Sequence, residues 1–132
     1  MKKSLFLFVA LAIGFSANAQ TKYFFSPNGE GSGESWDDAA AAEYLGVTLA
    51  EAEVGDEFYL MEGKYAPDGT TNKWNIAQGV IIKGGYPTTM TGTNTDIDYT
   101  TAGQSVFSAD LDNDGKGDNT DYAFVYVGKA GE

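Results

Sequence analysis

Four short apolar runs punctuate this 132-residue chain, at residues 58–65, 80–86, 105–111 and 122–128, and each closes on or near a glycine, an aspartate or both. Their starts lie 22, 25 and 17 residues apart. Spacing of that size is the mark of stacked supersecondary units, and twenty-odd residues is about one turn of a parallel β-helix. An antiparallel sandwich would also show short strands, but at intervals nearer 8 to 12 residues. The runs are therefore read as successive coils of one solenoid.

An export signal precedes them. Lys2 and Lys3, an eleven-residue apolar stretch at 5–15 and the small residues Ala17, Asn18 and Ala19 form a charged region, a hydrophobic region and an Ala-x-Ala cleavage site before Gln20. The stretch is too short for the roughly 20 apolar residues of a membrane span. Residues 1–19 are thus expected to be a signal peptide cut between Ala19 and Gln20, with no transmembrane span in the mature chain and a secreted or outer-membrane, cell-surface location.

The mature remainder would be 113 residues, the size of one ordinary domain. The whole chain has 8 lysines, no arginine and 19 acids; loss of the two leader lysines takes the net charge from −11 to −13. Binding a phosphate backbone relies on clustered Lys and Arg, so no nucleic-acid partner is expected. Such acidity favours solubility and divalent cations instead. Cysteine is absent, so an exported domain must hold together without disulfides. Stacked coils offer that route, because each buries its apolar face on the next.

Residues 20–57 read as an N-terminal segment with a capping helix. The stretch Asn28-Gly29-Glu30-Gly31-Ser32-Gly33 is a loop by composition, and Ser35 is placed as an N-cap with Asp37 and Asp38 in the first turn. A helix is predicted through the alanines 39–42, with Tyr44, Leu45 and Trp36 on one apolar side, Trp36 acting as a plug beneath the cap, and Gly46 as its stop. Thr48 and Glu51 then frame a capping box for a second, shorter helical turn. Such a cap would cover the first apolar layer, whose edge would otherwise pair with other chains.

Residues 58–132 read as the first three to four coils of a mainly β, right-handed parallel β-helix. In Phe58-Tyr59-Leu60-Met61 and Val80-Ile81-Ile82 both strand faces are apolar, as expected for parallel strands covered on two sides. Gly63, Gly84 and Gly85 are expected to turn corners. Residues 67–72 and 87–101 are then loops, where a scaffold carries function. The chain stops after a strand-like run with no closing cap, so further coils are expected beyond residue 132.

Together these residues carry a resemblance. Gly31-Ser32-Gly33-Glu34-Ser35-Trp36-Asp37-Asp38-Ala39, then Gly55-Asp56-Glu57-Phe58-Tyr59-Leu60 and Glu62-Gly63-Lys64-Tyr65, then Gly79-Val80-Ile81-Ile82-Lys83-Gly84-Gly85-Tyr86 and Phe107-Ser108-Ala109-Asp110-Leu111, resemble the start of bacterial secreted right-handed parallel β-helix proteins of the pectate-lyase-like superfamily. In particular they resemble large exported proteins of the Bacteroidetes type. The span 88–101 and Ala109, where glycine is usual, depart from the pattern. The resemblance implies many further coils and a C-terminal sorting domain. For enzymes of the superfamily it implies calcium held by aspartates and a Lys or Arg base on a neighbouring coil. Lys83 is the strand lysine to consider, against the simpler reading of a solvated outer-face residue.

The sharpest chemical motif is at residues 110–121. Asp110, Asp112, Asp114, Asp118 and Asp121 occupy loop positions 1, 3, 5, 9 and 12, with Gly115 at position 6, the oxygen-ligand spacing of an EF-hand calcium loop. Alternate short carboxylates can converge on one hard cation while glycine permits the sharp turn. The flanks read as strands rather than helices, so a plain acidic turn is the other reading. Trp74, with Tyr65 and Tyr86, is the candidate sugar-stacking set, and Trp74 is the ring expected to be exposed because its neighbours are polar.

The chain has no histidine, cysteine or arginine, which excludes imidazole relays, thiol nucleophiles and guanidinium clamps. Two functions of different class remain. One is a noncatalytic scaffold, adhesin or glycan-binding module, with a polysaccharide or a host or plant glycan as partner. The other is the N-terminal part of a polysaccharide lyase or glycosidase acting on acidic polysaccharides.

Overall fold

The computed structural model describes residues 19–66 and 74–108, together with the backbone of 125–126. Most of the expected signal peptide, the expected loop at 67–72 and the acidic motif at 110–121 lie outside the described residues. The chain is mainly strand. Its elements are β1 (Lys22–Ser26), β2 (Ala40–Ala41), α1 (Ala42–Glu51), β3 (Glu57–Met61), β4 (Gly63–Tyr65), β5 (Asn75–Ile76), β6 (Ile81–Tyr86), β7 (Ser105–Phe107) and β8 (Val125–Tyr126). Every strand pairing among them is parallel. The largest sheet has the order β2-β1-β3-β6, while β4 pairs with β7 and β5 with β8.

Side chains alternate across a strand, and here both sides are apolar. Phe25, Phe58 and Leu60 point to one face of the large sheet, where Leu45 and Leu49 of α1 close a core that includes Tyr65 and Trp74. Phe24, Tyr59 and Met61 point to the other, where Trp36 and Tyr86 cover them and Met90 and Ile97 pack alongside. The parallel register sets like residues side by side. Phe24 lies opposite Tyr59, and their rings stack at 5.3 Å; Tyr23 stacks on Phe58 at 5.0 Å. The expectation that both strand faces are covered is met at residues 58–61, one face by the helix and one by loops, but not at 80–82, where Ile81 is 40% exposed.

The pairing does not stack the four runs as four layers. The second run, as β6, pairs with β3 of the first; the third, as β7, pairs with β4, which also belongs to the first; and residues 125–126 of the fourth pair with β5. Runs two, three and four therefore add to three different strands. Equal spacing along a chain cannot distinguish a new layer from a new side of the same layer, because both consume a strand and a turn.

The helix also departs from expectation. Residues 40–41 extend as β2 beside Phe25 and Ser26, and α1 begins only at Ala42 with no side-chain cap. Asp38, an acid expected in the first turn, is engaged within the preceding loop instead: it accepts the Ser32 backbone N–H at 3.0 Å and also its hydroxyl. Nor does the helix stop at Gly46. A mid-helix glycine costs roughly 1 kcal/mol, which burial of Leu45 and Leu49, two fully covered leucines, more than offsets at about 1.5–3 kcal/mol each. Thr48, expected to cap a second helix, instead donates its hydroxyl to the Tyr44 carbonyl one turn back at 2.8 Å.

Gly84 and Gly85 do not turn a corner. They form a bulge inside β6: Tyr59 faces Lys83 but Met61 faces Tyr86, so β6 spends one extra residue. An odd insertion inverts strand parity. It carries Tyr86 to the same face as Tyr59 and Trp36. Gly85 takes a φ of 86°, a left-handed conformation that suits glycine, and its N–H donates to the Ser105 hydroxyl at 2.8 Å. That hydroxyl in turn lies 2.7 Å from the Met61 carbonyl, tying β7 to the end of β3.

Candidate functional site

The loop between β1 and β2 folds back along the end of the sheet. Phe24 donates its N–H to the Gly33 carbonyl at 2.8 Å, and Gly33 donates to the Asp38 carbonyl at 2.7 Å. Trp36 is thereby laid on the outer face of the sheet, edge-on to Phe24 at 4.9 Å and tilted against Tyr86 at 5.0 Å. The 87–101 loop closes over it. The Trp36 indole N–H donates to the Asn94 carbonyl at 2.6 Å, its backbone N–H to the Gly92 carbonyl at 2.7 Å, and the Tyr86 hydroxyl to the Thr95 carbonyl at 3.0 Å. Asp37 answers by accepting the Gly92 N–H at 2.7 Å. Trp36 is a plug, as expected, but on the face away from the helix.

Where the loop between β1 and β2 meets the end of β3 it leaves an open cleft of about 440 Å³, lined by Asn28, Glu30, Asp37 and Asp38 together with Trp36 and Met61. Asp38 is held below the ordinary carboxylate range by the Ser32 hydroxyl and backbone N–H. The cleft is thus acidic and rich in hydrogen-bond acceptors, while Trp36 and Met61 at its edge are themselves nearly covered. Composition had marked this stretch only as loop. The signal that could have found it is the run of glycines bracketing Glu30 ahead of two adjacent aspartates.

A second cluster lies on the same outer face. The Tyr59 hydroxyl donates to Glu57, Lys83 approaches Glu57 at 3.7 Å, and the Lys83 and Lys22 ammonium groups sit 5.2 and 5.8 Å from the Tyr59 ring centre. Chiefly through the Tyr59 hydrogen bond, Glu57 is held below its usual pKa. For Lys83, desolvation pulls the pKa down, but Tyr59 and Glu57 together raise it above the ordinary value. A lysine so placed keeps its proton at neutral pH. A general base requires the opposite shift.

The candidate sugar-stacking set is inside the protein. Trp74 is 0% exposed, set edge-on to Phe107 at 5.0 Å with its indole N–H 3.4 Å from the Ser108 carbonyl. Tyr65 is also 0% exposed and donates between the Met61 and Phe25 carbonyls, at 2.9 and 3.1 Å; burial pushes its phenol pKa up. Tyr86 is 1% exposed. A sugar needs a free ring face, and these three rings spend theirs on the core. Polar neighbours misplaced Trp74 because they describe the loop around it rather than the direction of the ring.

Ala19 and Gln20, the residues of the expected cleavage site, are both exposed. Asp110, Asp112, Asp114, Asp118 and Asp121 lie outside the described residues. Among the described residues no three acidic side chains gather in a metal-holding group, and no helix is long and apolar enough to cross a membrane. The chain matches no protein-family model, no curated protein and no solved structure.

Proposed function

We propose that this chain forms coils of an exported, cell-surface right-handed parallel β-helix that serves as a noncatalytic scaffold, adhesin or glycan-binding module. One observation carries the reading. Strands β3, β4 and β5 follow one another and are then met in the same order, and in parallel, by β6, β7 and β8. A chain that passes the same three stations twice in one direction is winding, and crossovers between parallel strands are right-handed in nearly all proteins. In this reading α1 covers the inner layer, and the acidic cleft beside Trp36 is where a glycan would sit. The 110–121 aspartates would hold a calcium ion, a hard cation that takes such oxygen ligands.

The alternative, a lyase or glycosidase, draws no support from Lys83, whose neighbours keep it protonated. The test uses the protein exported with its own leader. Surface exposure is read by protease shaving of intact cells, binding on a glycan array and activity by release of unsaturated uronates from acidic polysaccharides. Surface display with glycan binding and no release supports the proposal. Release of uronates replaces it with the enzyme reading, and protein retained inside the cell overturns it.

A further inference from the structure

We infer that Gln20 becomes a pyroglutamate at the mature N-terminus. The inference rests on the reading of residues 1–19 as a leader cut after Ala19. In the precursor the Gln20 nitrogen is an amide and is inert; cleavage turns it into a free amine on a residue whose own side chain carries an electrophilic carboxamide. The amine attacks the side-chain Cδ, and the C–N bond of a five-membered lactam forms. The bond from Cδ to Nε2 breaks, and a proton passes from the amine to the departing nitrogen, which leaves as ammonia. Nothing is oxidised or reduced, and no co-reactant is consumed.

The structure leaves Gln20 exposed while fixing the residue after it. The Thr21 N–H, the amide next to the new ring, donates to Asp56 Oδ1 at 3.0 Å, and the Thr21 carbonyl accepts the Glu57 N–H at 2.9 Å. Asp56 is buried and is held in turn by the Glu53 N–H at 2.9 Å on its other oxygen. Gln20 itself is exposed. Its side chain lies over Gly55, which has a φ of 95° and no Cβ; a Cβ there would stand 3.1 Å from Gln20 Nε2 and 3.2 Å from Cγ. The space for the ring is thus a glycine surface, not a packed wall. Cyclisation removes the terminal ammonium and closes the chain end to aminopeptidases, with the β1 anchor at Thr21 intact.

The test expresses the full chain with its own leader in a bacterium with general secretion, recovers the exported protein and incubates it at neutral pH before intact-mass analysis and Edman sequencing. The expected mass is that of residues 20–132 less one ammonia, with Edman degradation blocked until a pyroglutamyl aminopeptidase exposes Thr21. The Gln20→Ala variant should be processed alike and sequence freely from its first residue. A full-mass protein that reads Gln20 in normal yield after incubation overturns the cyclisation and leaves the leader reading standing. A mature protein that starts at another residue overturns both.

Discussion

Replacing Trp74 separates a structural ring from a binding ring. Its side chain is fully covered, meets Phe107 edge-on at 5.0 Å and faces α1, where a Cβ on Gly46 would stand 3.9 Å from the indole. Truncation to alanine of so large a buried ring costs about 3–5 kcal/mol, since the space left cannot fully collapse. The aromatic pair accounts for about 0.5–1.5 kcal/mol of that; the hydrogen bond to Ser108, long at 3.4 Å, adds little. Set against a domain stability of about 5–15 kcal/mol, this is a large fraction. With a urea m-value of about 1–3 kcal/mol/M, a loss near 4 kcal/mol lowers the unfolding midpoint by roughly 1–4 M. Trp74→Phe keeps a ring against Phe107 and should lose only about 1–2 kcal/mol, which provides a readout if the alanine variant fails to fold. Because the chain has two tryptophans, Trp36→Phe leaves Trp74 as the single reporter, whose folded-state fluorescence should resist aqueous quenchers. A Trp74→Ala midpoint unchanged from the parent, with Trp74 emission quenched as freely as in the unfolded chain, would refute the placement.

Gly63 has a φ of 137° and would drive a Cβ into the Pro27 ring, so Gly63→Ala should destabilise by at least the roughly 1–2 kcal/mol of left-handed strain; thermal melting checks it. The depressed pKa of Glu57 implies stabilisation present above its ordinary value of 4.5 and lost as pH falls through the lower folded value. Urea midpoints measured against pH should therefore fall less steeply below that point in Glu57→Gln than in the parent. Tyr86 has the opposite sense: burial first, then nearby Tyr59 and acids, raise its phenol from 10.0 to about 12, so its contribution is complete below pH 10 and disappears as the phenol ionises near 12. Tyr86→Phe should blunt alkaline unfolding over that window, followed by circular dichroism. Millimolar calcium should raise the melting temperature of the full chain, and Asp112→Ala with Asp114→Ala should abolish the shift; a calorimetric titration with no heat would leave the loop an acidic turn.

Strand content and two-sided burial were legible because they follow from residue type. Phe58-Tyr59-Leu60-Met61 has no polar face to give to water, so a strand there must be covered twice. The helix was legible in part: Leu45 found the core, yet its start moved to Ala42 and its end past Gly46, because capping preferences of about 1 kcal/mol yield to tertiary partners. Ser35 is a good N-cap and Asp38 a good first-turn acid in isolation, but the folded loop engages Asp38 through Ser32. The cleft beside Trp36 was not legible. Its wall joins Asn28 and Glu30 to Met61, residues brought together only when β1 pairs with β3.

Local chemistry determined which stretches would be extended and where glycine would permit unusual backbone, since each depends on neighbours within a few residues. Tertiary structure decided which run joins which. The four runs are alike in composition, and their spacing cannot say that Ser105 returns to β4 while Ile81 returns to β3. It also decided that Trp74 turns inward and that one extra residue at Gly84-Gly85 swings Tyr86 to the outer face. Those outcomes depend on register across strands 20 or more residues apart, where a shift of one residue exchanges inside for outside.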